Sequence, residues 1–215
     1  MIDVKFDHLV FAGPDLETGI AYFEQLLGVS AVLGGSHPGL GTRNAYIGLG
    51  AHSYLEIIAP DPEQSRFNGI RPFNIDRLND IQLVTWVARQ DGLGEFVDRL
   101  RKQDIELGMV IPVSRLTPEG SVLNWHLTFA PTADLFSLVP FFIDWGNTPH
   151  PSKNCPPGAV LKNLVLETPH PVATRLKLEC LGLNAEVIES TQPGISIVID
   201  CPNGEIKLTS GNVGS

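Results

Sequence analysis

Asp7 aside, residues 4–12 alternate so that Leu9 and Phe11 share one face while Phe6, His8 and Val10 share the other. An amphipathic helix follows. Asp15, after Pro14, is a good N-cap; Leu16, Ile20, Phe23 and Leu27 recur at helical spacing; Gly28 stands where a left-handed residue ends a helix. Leu9 and Phe11 are therefore expected to face that helix, and His8 to face away from it. Residues 53–59 alternate in the same way, with Leu55 and Ile57 on the helix side and Tyr54, Glu56 and Ile58 opposite. In the strand before it, Ala45, Ile47 and Leu49 look core-facing, which places Asn44 and Tyr46 beside His8 and Glu56. The opening unit thus reads β-α-β-β-β.

The pattern recurs less cleanly downstream. Residues 81–88 read as a strand, Asp91 as the cap of a helix carrying Leu93, Phe96, Val97 and Leu100, and VLNWHLTF and LFSLVPFFI as two further strands. In VLNWHLTF, Leu123, Trp125, Leu127 and Phe129 are assigned to the core side, so Asn124, His126 and Thr128 take the other. A third stretch, LKNLVLETPHPVATRLKLECLGLNAEVIE, parallels the first, and CPNG marks a tight turn between two closing strands. The expected organisation is a first module over 1–62, a linker over 63–79, a second, diverged module over 80–146, a Pro-rich connector over 147–159 and a third unit over 160–215.

The β-α-β-β-β order, with FDHLVFAGPDL at its start and YLEIIAP at its end, resembles the vicinal oxygen chelate superfamily, and HPGLGTRN narrows the resemblance to its glyoxalase-like domain family. The resemblance implies an α+β protein in which repeated βαβββ modules form a curved mixed sheet around a cup, with a third βαβββ-like unit at the C-terminus. It also implies metal ligands on the first and last strands of the module, which are His8 and Glu56 here. They make two thirds of a 2-His-1-carboxylate face for a divalent metal (Fe, Mn, Ni, Zn or Co). His126 is the first choice for the third ligand on strand parity, and His37 the second, because its Gly-rich loop can fold inward. The ligands that the family's metal enzymes take from the second module are missing: Val84 stands at the His8 position, and Leu138, Pro140 or Phe142 at the Glu56 position.

Composition limits the alternatives. At 215 residues, 43% hydrophobic and 18% charged, the chain can bury a proper core. A net charge of -9 without a basic cluster argues against a nucleic-acid surface. No apolar run approaches membrane-spanning length and no signal peptide precedes the first strand, so a cytoplasmic protein is expected. Cys155, Cys180 and Cys201 suggest neither a disulfide framework nor a thiolate site. The sheet edge of an odd third unit invites a homodimer.

Two function classes follow. One is a metal-dependent lyase, isomerase or dioxygenase acting on a small oxygenated molecule, with Glu56 as a ligand or as a base. The other is a metal-free protein that encloses a small molecule in the same cup, which the missing second-module ligands favour. Arg43 and Asn44 of HPGLGTRN, together with His37, Tyr46, Asn124 and Asp144, are the expected substrate contacts. Tyr46, Tyr54, Trp86, Phe136 and Phe142 have the parity of an apolar lining. His8 is expected to matter more to the site than to the fold, with truncation costing about 1 kcal/mol or less unless it holds a metal.

Overall fold

The computed structural model describes residues 5–129 and 138–210; Phe136 lies outside them. Its first unit is β1 (Phe6–Ala12), α1 (Leu16–Leu27), β2 (Val32–His37), β3 (Thr42–Gly48) and β4 (Tyr54–Pro60). The second is β5 (Gln82–Arg89), α2 (Leu93–Arg101), β6 (Met109–Leu116), β7 (Val122–Phe129) and β8 (Phe141–Asp144). The third is β9 (Val160–Thr168), α3 (Pro171–Cys180), β10 (Glu186–Glu189), β11 (Gly194–Cys201) and β12 (Gly204–Thr209).

The first eight strands close into a barrel in the order β1-β4-β3-β2-β6-β7-β8-β5. Within each unit the first strand pairs parallel with the last, β1 with β4 and β5 with β8. The two units join antiparallel, β1 to β5 along their length and β2 to β6 at Ser36 and Leu116. The site is therefore the inside of a closed barrel, where backbone edges are paired and side chains of alternate parity converge.

The barrel has an apolar cluster on each side of its sheet. Leu9, Phe11, Leu55 and Ile57 pack outward with Phe23 and Leu27 of α1, while Val10, Ala12, Tyr46, Tyr54, Val113, Trp125 and Ile143 pack inward. A β-bulge between Phe6 and His8 breaks the alternation of β1. Phe6 consequently turns outward and stacks on Trp86 at 6.3 Å, where simple parity placed it with His8. Trp86 and Phe142 likewise belong to the outer core and do not line the interior.

α1 is capped as its sequence suggests. The Asp15 side chain accepts from the Thr18 N–H, and Gly28, at φ 69°, donates to Glu24 O. The start of α2 differs, because its N-cap is Gly92 at φ 65° and Asp91 makes no cap. Asp144, at the end of β8, accepts from the N–H groups of Gly92 (3.0 Å) and Leu93 (3.3 Å) instead. A carboxylate from a neighbouring strand thus satisfies the helix terminus.

The third unit has the expected order of elements but a different sheet, β10-β9-β11-β12, in which β10 returns parallel to β9. In the barrel units the strand that follows the helix lies at the far side from the first. Leu164, Leu166, Ile195, Ile197 and Ile199 press this sheet onto the outer core. Asn203, in the turn before β12, donates to Gln25 O (2.9 Å) and Leu26 O (3.2 Å) at the end of α1. Asn163 and Lys207, which sequence comparison sets against His8 and Glu56, lie on the open face of this second sheet, away from the barrel. Among the described residues, no helix is long and apolar enough to cross a membrane.

Candidate functional site

A chain of buried polar side chains crosses the barrel interior. It starts at Asp7, which the bulge in β1 exposes to partners on several elements and which is completely buried. Its Oδ1 accepts from His8 Nδ1 at 2.7 Å. Its Oδ2 accepts from Arg89 Nε (2.9 Å) and Trp145 Nε1 (3.1 Å), and His150 Nε2 lies 3.3 Å away. Burial alone would push this carboxyl up, but the bonds and charges of His150 and His8 outweigh it and hold it well below the usual carboxylate range. Because an ionised carboxylate only accepts, His8 must carry a proton on Nδ1, which turns Nε2 toward Glu56.

The His8 ring stacks on Tyr54 at 4.4 Å, and its Nε2 is 3.7 Å from Glu56 Oε2. The other carboxylate oxygen, Oε1, accepts from Asn44 Nδ2 at 2.6 Å. Strand register explains the set, since Tyr46 sits opposite Glu56 and Asn44 opposite Ile58 across the β3–β4 ladder. The Asn44 carbonyl in turn receives Arg115 Nη1 at 3.5 Å, and the Arg115 guanidinium lies 5.2 Å from the centre of the Tyr46 ring. Arg115, on β6, is 3% exposed, and its Nε has no hydrogen-bond partner.

His37 completes this wall. It is buried, its Nδ1 is 3.0 Å from Thr42 Oγ1, and it meets Trp125 edge-on at 6.2 Å. Burial lowers its pKa to about 4, so the ring is neutral at pH 7. An unfolded histidine titrates near 6.5. Between those values the unfolded chain takes up a proton that the native state refuses, and stability falls as pH drops from about 6.5 to about 4. The expected loss is about 3 kcal/mol at most, and a His37→Gln protein should lack this component. Urea midpoints of both proteins at pH 7 and pH 4.5 check this; equal pH slopes would refute it.

The structure brings together His8, His37, Asn44, Tyr46 and Glu56, and leaves the other expected site residues outside. His126 and Asn124 are exposed, because β7 has the opposite parity: Trp125 packs within the barrel. The sequence pattern places the apolar residues of β7 on the core side, but an apolar interior attracts them equally. Arg43 faces outward and pairs with Glu17 of α1 at 2.7 Å, and Asp144 caps α2. Asp7 and Arg115 went unnoticed. Asp7 breaks an alternating strand, and a charge set against the pattern is the signal that could have marked it. Arg115 shares strand parity with Val113, but Pro112 obscures β6 as a strand.

The donor set does not fit a divalent metal. His8 and Glu56 face each other, but from the second unit Val84, Val87 and Ile143 bring apolar groups and Arg115 brings a cation. Among the described residues, no three His, Cys, Asp or Glu side chains are grouped to hold an ion. Glu56 Oε1 is already engaged by Asn44, with a guanidinium just beyond.

The fold has precedent. A hypothetical protein from Staphylococcus aureus superposes with a TM-score of 0.65 over 95% of this chain and 84% of its own, at 14% identity. Methylmalonyl-CoA epimerase from Mycobacterium tuberculosis aligns over 67% of this chain and 90% of its own, at 20% identity and a TM-score of 0.44. A methylmalonyl-CoA epimerase in complex with methylmalonyl-CoA and NH4+ aligns over 68% of this chain and 98% of its own, at 17% identity and a TM-score of 0.45. No curated protein matches the sequence. The glyoxalase-like domain model matches residues 6–182, which span the whole barrel and enter the third unit, and the chain belongs to that family.

Proposed function

We propose that the barrel binds a small oxygenated molecule and moves a proton at the carbon beside its carbonyl, with Glu56 as the base. The observation that carries this reading is the setting of Glu56: a buried carboxylate whose Oε1 is fixed by Asn44 and whose Oε2 faces His8 Nε2. A base held in one rotamer loses little entropy when the proton moves. Glu56 takes the proton, the C–H electron pair enters the carbonyl, and an enolate forms beside a protonated Glu56. Returning the proton to carbon gives an isomerisation; expelling a neighbouring leaving group from the enolate gives a lyase reaction. Tyr54 supports the developing charge. Its hydroxyl is pushed well above the usual range, chiefly by burial and then by the Asp7 and Glu56 charges, so it stays protonated and able to donate.

A metal-dependent lyase, isomerase or dioxygenase built on His8 and Glu56 is the weaker reading, because among the described residues no third donor joins them. The second reading of substance is a metal-free binding protein. The aromatic wall of Tyr46, Tyr54, Trp125 and Trp145 favours it, since such a lining holds an apolar molecule without reacting with it.

The test is exchange of methylene protons for deuterium in 2-butanone and 2-oxobutanoate, followed by proton NMR. Exchange above the buffer rate is expected for at least one compound, with a drop of about a hundredfold or more in Glu56→Gln. Exchange that is unchanged in Glu56→Gln, or absent for both compounds, would contradict proton transfer and favour the binding protein.

A further inference from the structure

We infer that Arg115 is a receptor for the carboxylate of a small apolar acid bound inside the barrel. The inference rests on the reading of the interior as a small-molecule site, and it names the chemical class that enters. Arg115 is 3% exposed, yet among the described residues no carboxylate lies within ion-pair distance of it. Among the described residues its hydrogen-bond partners are Asn44, whose Oδ1 lies 3.5 Å from Nη1, and the Tyr46 side chain, and its buried Nε has no partner. Burying a cation with donors unpaired is costly, and it persists where a ligand supplies the missing acceptors.

The alternative is that Arg115 merely neutralises Glu56. A guanidinium doing so would bond the carboxylate directly, but Asn44 stands between them, giving its amide N–H to Glu56 and its carbonyl to Arg115. Asn44 thereby engages Nη1 and leaves the buried Nε–H without an acceptor. A carboxylate supplies a guanidinium with such an acceptor and with an opposite charge together.

The neighbouring strand makes room for this arrangement. A Cβ on Gly34 of β2 would overlap Asn44 Oδ1 and stand 2.8 Å from Arg115 Nη1. Gly34 is not at positive φ, so its value here is space, not backbone freedom. Tyr46 lies against the guanidinium and belongs with Trp125 and Val113 to the inner apolar cluster, so the remainder of the acid is an aromatic or branched apolar group. His37, also close by, is neutral at pH 7 and adds no second cation.

The experiment is calorimetric titration of the full chain at pH 7 with benzoate, benzamide and inorganic phosphate. Benzoate should bind, with benzamide and phosphate weaker by roughly tenfold or more. Arg115→Gln and Gly34→Ala should each weaken benzoate by at least about tenfold, the second while retaining the charge. Glu56→Gln should bind benzoate as well as the wild type or better, because it removes a negative charge. Were Arg115→Gln to fail to fold, Gly34→Ala decides. The inference is overturned by no benzoate binding, by equal binding of benzoate and benzamide, by preferential phosphate binding, or by an unchanged benzoate affinity in Gly34→Ala. Benzoate binding without proton exchange would leave this receptor standing and remove only the role of Glu56 as base; butanone exchange without benzoate binding would do the reverse.

Discussion

Replacing Asp7 by asparagine is expected to lower stability by about 3 kcal/mol at pH 7. Asp7 is wholly buried and accepts from His8, Arg89 and Trp145. Asparagine has one acceptor oxygen. If that oxygen keeps Arg89 and Trp145, the amide N–H groups confront His8 Nδ1 and force the ring into its other tautomer. If it keeps His8, the amide confronts a guanidinium and an indole N–H. The charge of Arg89 loses its buried partner in both cases, although Arg89 is partly exposed and recovers some hydration, which places the cost at the low end for a broken buried pair. The same carboxylate, depressed in the native state, stabilises the wild type fully above the ordinary range near 3.8 and loses that contribution as pH falls below it. Urea unfolding at pH 7 and pH 3 should therefore show the two proteins converging in acid. A difference below about 1 kcal/mol at pH 7 would contradict the role given to Asp7.

Phe11→Ala should cost about 3 to 5 kcal/mol. Phe11 has no exposed surface, meets Phe23 of α1 edge-on at 4.7 Å, and faces the outer core with Leu9 and Ile57. Truncation leaves a cavity between helix and barrel that neither can easily collapse into. His8, three residues earlier on the same strand, points the other way. Its truncation should cost about 1 to 3 kcal/mol, more than an open cup wall would imply, because it strands Asp7 Oδ1 and removes the stack on Tyr54. Equal losses for the two substitutions would mean that the inner and outer faces of β1 are not energetically distinct.

How far the sequence could be read follows from this two-faced barrel. β1, β3 and β4 were legible because each carries polar residues on the inner face, His8, Asn44 and Glu56, against apolar outer residues such as Leu9, Phe11, Ala45, Ile47, Leu55 and Ile57. β7 was not, because its inner residue Trp125 is as apolar as a core position, and alternation alone cannot say which of two apolar environments it enters. The bulge at Asp7 reversed Phe6 for a local backbone reason that no period-2 pattern expresses. Asp144 is expected as a substrate contact, but capping α2 needs only a carboxylate near two orphan N–H groups, a tertiary relation invisible in the order of residues. The third unit repeats the order of elements, yet pairing β10 with β9 instead of placing it at the far edge yields another sheet, since element order does not determine strand order.

Under the proposed mechanism Glu56 acts as a base held by protein groups, His8 and Asn44, and not as part of a metal's ligand set. Its most direct test is the rate of deuterium exchange into 2-oxobutanoate or 2-butanone after exhaustive treatment of the protein with a chelator. An unchanged rate is expected, with no stoichiometric metal released into the chelator. Release of one equivalent of metal, loss of exchange, and its recovery on adding the metal back would contradict it.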